Sequence, residues 1–100
     1  MNALGVQDYR VRNKSMAIIT SQVTVTGTSQ SIISVDNVTR DVLLHAKHEI
    51  FIGNSGVTST SGYIMDNGDV LRMSLVDGED LWAVTSGNSG TLHVLVSKVD

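Results

Sequence analysis

Val70-Leu71-Arg72-Met73-Ser74-Leu75, then Leu81-Trp82-Ala83-Val84, then Leu92-His93-Val94-Leu95-Val96-Ser97-Lys98-Val99 is the stretch whose reading decides the fold. In its first run Leu71, Met73 and Leu75 alternate with Arg72 and Ser74, the two-residue period of a half-buried strand. The turns Asp77-Gly78 and Gly87-Asn88-Ser89-Gly90 separate the three runs, which together predict a β-meander. Its expected core residues are Leu71, Met73, Leu75, Trp82, Val84, Val94 and Val96. Trp82 is expected to bond its indole N–H to a backbone carbonyl. Leu95 shares the strand phase of His93 and Ser97, opposite Leu92, Val94 and Val96. A strand apolar on both faces predicts burial on both sides, at a sandwich centre or a subunit contact.

Working outward, Asp66-Asn67-Gly68-Asp69 carries the Asn-Gly signal of a type I′ hairpin. Gly56-Val57 and Ser61 to Met65 read as short strands around a polar loop, and His48 to Ile52 as a strand closed by Gly53. Gln30 to Val35 and Arg40 to His45 flank the turn residues Asp36-Asn37. Ile19, Ser21, Val23 and Val25 fall on one face of a further strand whose other face is rich in Thr. Residues 1–15 sustain no period and read as an extended N-terminal arm. The expected fold is all-β: residues 16–100 form one domain, an antiparallel β-sandwich or jelly-roll-like barrel of about eight short strands.

The composition narrows the partners. Hydrophobic residues make up 41% of the chain and aromatics only 4%, so the core is aliphatic. The chain has no cysteine, which removes disulfides, thiolate metal sites and cysteine nucleophiles. No apolar run reaches the roughly 18 residues of a membrane-spanning helix, and the first residues lack the basic-then-apolar pattern of a secretion signal. Synthesis in the cytoplasm and no membrane association are the resulting expectations. A net charge of −3 argues against general nucleic-acid binding. Its distribution is polar along the chain: Arg10, Arg12 and Lys14 precede a body holding Asp66, Asp69, Asp77, Glu79 and Asp80. A basic arm before an acidic body suits self-assembly or docking on an acidic surface. The chain also has no proline, a common means of blunting exposed strand edges, so some edges are expected to be covered by the arm or by neighbouring subunits.

Chemistry-bearing constellations are sparse. His45, His48 and His93 are the imidazoles, but His45 and His48 flank a turn and His93 lies on the polar phase of its strand, so no metal site is expected. The acids at 66–69 and 77–80 lack the spacing of a calcium loop. No Gly-x-Ser-x-Gly elbow is present and no His-acid pair accompanies a distinctive Ser, so no catalytic residues, no cofactor and no enzyme activity are expected.

Residues 48–97 also resemble a known group. The order Ile50-Phe51-Ile52-Gly53, Val57-Thr58-x-x-x-Gly62-Tyr63-Ile64, Asp69-Val70-Leu71, Leu81-Trp82-Ala83-Val84-Thr85-Ser86-Gly87 and Thr91-Leu92-His93-Val94-Leu95-Val96 is similar to small β-sandwich structural proteins of tailed-bacteriophage virions. This chain departs from them in placing Asp66-Asn67-Gly68 where a Pro-Gly turn is usual. The resemblance implies a non-enzymatic decoration (cement) protein that binds the major capsid protein on the outer capsid surface, commonly as a homotrimer, and stabilises the head. Arg10, Arg12, Lys14 and Leu95 are then the expected partner contacts. A fibre or tail module that binds host carbohydrate through Trp82, Tyr63 or the Asn54 and Asn88 loops is the alternative, as is a neck or tail adaptor.

Overall fold

The computed structural model describes residues 16–99, so the expected arm, with Arg10, Arg12 and Lys14, lies outside the described residues. Eight strands follow one another: β1 (Met16–Val25), β2 (Gln30–Ile33), β3 (Arg40–Ala46), β4 (Ile50–Gly53), β5 (Tyr63–Met65), β6 (Val70–Leu75), β7 (Leu81–Val84) and β8 (Gly90–Val99). They form two antiparallel four-stranded sheets, ordered β1-β8-β3-β6 and β2-β7-β4-β5. In this order, the first strand of one sheet lies beside the last strand of the chain, and successive strands alternate between sheets except for β4 and β5, which pair within one sheet. That is the two-sheet jelly roll. The expected all-β sandwich is therefore the observed fold.

The meander is not observed. β6 pairs with β3, β7 with β2 and β4, and β8 with β1 and β3, so none of the three pairs with another. Their turns carry the chain from one sheet to the other instead of closing hairpins. Asp66-Asn67-Gly68-Asp69 does the same between β5 and β6, which belong to different sheets, and so is not a hairpin turn. Gly68 adopts a φ of 97°, a left-handed value that favours glycine. Its N–H donates to Ala46 O at 2.8 Å, and Ala46 N–H donates to Asp69 O at 2.9 Å, which pins the turn to the end of β3.

Alternation sorts side chains between core and surface. Val42, Leu44 and Ala46 of β3 and Leu92, Val94 and Val96 of β8 are buried with Ile50, Ile52, Met65, Leu75, Leu81 and Ala83, while Leu71 and Met73 pack partly buried against them. Val84 is buried as expected, but it belongs to a second, smaller cluster, and Trp82 is only partly buried against that cluster. Leu81 and Ala83 take the inward phase of β7, which turns Trp82 and Val84 to the outer face, where they pack with Phe51 and Val57. The indole Nε1–H donates to the Asp80 carboxylate at 2.8 Å, not to a backbone carbonyl. All four residues of β7 are apolar, so the period alone does not assign its faces.

One inward position breaks the apolar pattern. Arg40 is in phase with Val42 and Leu44, is only 2% exposed, and among the described residues contacts no carboxylate at salt-bridge distance. Its guanidinium donates to four carbonyl oxygens: Val38 at 3.2 Å, Ser34 at 2.7 Å, Val76 at 3.2 Å and Glu79 at 2.8 Å. It thereby ties the β2–β3 loop to the β6–β7 turn.

Candidate functional site

The outer face of the β1-β8-β3-β6 sheet follows directly from the register. One cross-strand row reads Gln22, His93, His45, Val70, and the next reads Thr20, Leu95, Leu43, Arg72. A depression of about 490 Å³ spans the two rows and is lined by His45, His93, Leu43, Leu95, Thr20 and Gln22 among others. A second depression, of about 640 Å³, continues from Leu43 and Leu95 to Met73, Ser74 and Ser97. Leu95 is 36% exposed at the junction of the two, so the expected second apolar face is present and is left uncovered within the domain.

The strand register brings together two of the three histidines. His45 and His93 are directly opposed on the two central strands, with ring centroids 6.0 Å apart and planes tilted by 38°. His48 is not part of the pair; a Cβ on Gly90 would lie 2.2 Å from the Cβ of His48, so His48 packs on the start of β8. His45 and His48 are neighbours along the chain, whereas the cross-strand register pairs His45 with His93. Among the described residues no group of three or more His, Cys, Asp or Glu side chains converges.

A second feature is the free edge of the same sheet. Among the described residues β1, ten residues long, pairs with β8 on one side only, so no described strand covers its other side. Its sequence, Met-Ala-Ile-Ile-Thr-Ser-Gln-Val-Thr-Val, holds no charge, proline or glycine. Ile18 and Ile19 are 69% and 48% exposed. Edges are ordinarily protected by Lys, Pro or a bulge, and β1 has none of these residues.

The alternative positions named for a carbohydrate groove lie on different parts of the β2-β7-β4-β5 sheet. Tyr63 stands opposite the inward-facing Ile52, while Trp82 is on the outer face of that sheet. Asn54 follows the end of β4 that pairs with Trp82, and Asn88 lies beyond the far end of β7.

Beside Arg40, the Asp36 carboxylate accepts from Lys98 Nζ at 2.6 Å and from Asn37 N–H at 2.7 Å. These contacts, the ammonium first, hold its pKa below the ordinary 3.8. A depressed carboxylate pKa favours the folded state above the ordinary value, and that contribution is lost as pH falls through the lowered one. Asp36→Asn is therefore expected to melt below the wild type at neutral pH, with the two melting curves converging as the pH is taken below about 3.8.

Among the described residues the geometry defines an eight-stranded jelly roll with an uncovered face and an edge that no described strand pairs. No family model matches the chain, and no curated protein matches it. Among solved structures it is similar to a protein of Bacillus endospore appendages, described as a novel family of disulfide-linked pili. That match has a TM-score of 0.53 and 11% identity, covering 85% of this chain and 87% of the other. It is also similar to a protein assigned as ethanolamine utilization protein Q from Salmonella typhimurium LT2, with a TM-score of 0.48 and 16% identity, covering 91% of this chain and 64% of that one. At these identities the likeness concerns the fold.

Proposed function

We propose that this chain is a non-enzymatic structural module that assembles by adding a neighbour's strand to the edge of β1, and that it serves on the outer surface of a phage capsid as a decoration protein. The observation that carries the assembly reading is the edge itself: ten residues without charge or proline, with Ile18 and Ile19 exposed. Such an edge supplies backbone hydrogen bonds to an added strand. The virion setting draws on the sequence resemblance over residues 48–97. Under it Arg10, Arg12 and Lys14 meet acidic capsid surface, Leu95 meets a neighbour, and the module is trimeric.

Density-gradient banding of particles from the source virus tests the setting. The chain is expected to co-band with full heads, and an Arg10→Glu, Arg12→Glu, Lys14→Glu triple variant is expected to lose most of its occupancy. Absence of the chain from the particle band would reject it.

A filament subunit is the second reading, favoured by the fold likeness to the endospore appendage protein. The chain contains no cysteine, so its filaments would be held without disulfides. Fibres of purified protein in negative-stain micrographs, with no chain on heads, would select this reading.

A further inference from the structure

We propose that His45 and His93 form a binding site for a divalent transition metal of the zinc, copper(II) or nickel type on the outer face of the β1-β8-β3-β6 sheet. Their ring centroids are 6.0 Å apart. Two imidazoles on one tetrahedral metal, at Zn–N distances of roughly 2.0–2.1 Å, place their ring centroids about 5 Å apart, and a wider N–metal–N angle takes the separation to about 6 Å. Small rotations about the side-chain torsions therefore close the chelate without changing the strand register.

The platform is rigid for a structural reason. β3 and β8 are the two central strands, each hydrogen-bonded on both sides, so the spacing of the two Cβ atoms is fixed before any metal arrives. Both rings are half-buried beside Leu43 and Leu95 in a depression open to solvent. Gln22 follows His93 in the same row and lines the same depression, which places a carboxamide oxygen within the site's surroundings.

The donor set decides the metal class. Neutral imidazole nitrogens suit zinc, copper and nickel, whereas calcium and magnesium require oxygen ligands. No third His, Cys or carboxylate joins the pair among the described residues. The remaining coordination positions are filled by water or by donors from a molecule docked on this face. The site does not depend on the virion reading.

Calorimetric titration of untagged protein with Zn²⁺ and with Cu²⁺ tests the proposal. Saturable binding of no more than one metal per chain is expected. His45→Gln and His93→Gln are each expected to weaken binding by about tenfold or more, and a tenfold loss corresponds to about 1.4 kcal/mol. His48→Gln is expected to leave the affinity unchanged, and Ca²⁺ and Mg²⁺ to give no binding. In the wild type, only the imidazole resonances of His45 and His93 are expected to move at low zinc ratios, and circular dichroism of each variant is expected to match the wild type. No saturable binding up to millimolar metal would overturn the proposal. So would full affinity in the His45→Gln, His93→Gln double variant, or an equal loss in His48→Gln.

Discussion

Replacing Arg40 with Met is expected to lower the unfolding free energy by about 3–5 kcal/mol, because a buried charged donor is removed from four backbone carbonyls that it ties together. Four carbonyl oxygens lose a charged donor at once, and hydrogen bonds to charged groups contribute roughly 1.5–3 kcal/mol each before water compensates the more exposed ones. The β2–β3 loop and the β6–β7 turn lose the contact that holds them together, so the cost is not confined to one strand. For a domain of this size the melting temperature is expected to fall by roughly 15–25 °C. Arg40→Lys is expected to recover only part of the loss, because one ammonium lacks the planar fork that reaches carbonyls on two separate segments. Urea titrations of the three proteins give the comparison. A loss below about 1 kcal/mol in the Met variant would mean that the guanidinium is not structural.

Leu44→Ala is the second large effect, with an expected cost of about 3–4 kcal/mol. Leu44 is fully buried on the inward face of β3, in a row with Val94 of β8 and Leu71 of β6. Two hydrogen-bonded neighbours fix the strand, so the surrounding structure relaxes little into the cavity. Leu43 next to it projects to the outer face, and Leu43→Ala is expected to cost under about 1 kcal/mol in the isolated domain. The contrast between adjacent leucines, measured by thermal and urea unfolding, tests the assignment of the two faces. Equal losses would contradict it.

Much of the fold was legible in the sequence because strand existence is a local property. Leu71, Met73 and Leu75 against Arg72 and Ser74 identify β6, and Gly-containing turns mark the ends of β6 and β7. Strand partners are not local. The three C-terminal strands look like a meander because they are consecutive, yet each mates with a strand far away in sequence, and the short turns between them cross from one sheet to the other. The direction of Trp82 was hidden for a different reason: its strand is apolar on both phases, and the smaller Leu81 and Ala83 take the inward side.

The candidate site divides the same way. Leu95 could be singled out because it is an apolar residue on the polar phase of β8, and it is exposed on that face. The pairing of His45 with His93 depends on the β3–β8 register, which no spacing along the chain encodes. Arg40 carried a readable signal, a charged residue in phase with Val42 and Leu44, but its four carbonyl partners come from segments on both sides of the molecule's β3–β6 pairing.

Sedimentation velocity of the wild type beside an Ile18→Lys, Thr20→Lys double variant tests the central claim most directly. Both residues are exposed on β1, so the added charges guard the edge without entering the core. The wild type is expected to sediment as an oligomer, with a trimer as the stoichiometry implied by the virion resemblance. The variant is expected to sediment as a 10.7 kDa monomer that keeps the wild-type circular dichroism spectrum and melts cooperatively. A wild type that remains monomeric at the same concentrations, or a variant that assembles as the wild type does, would contradict assembly through β1.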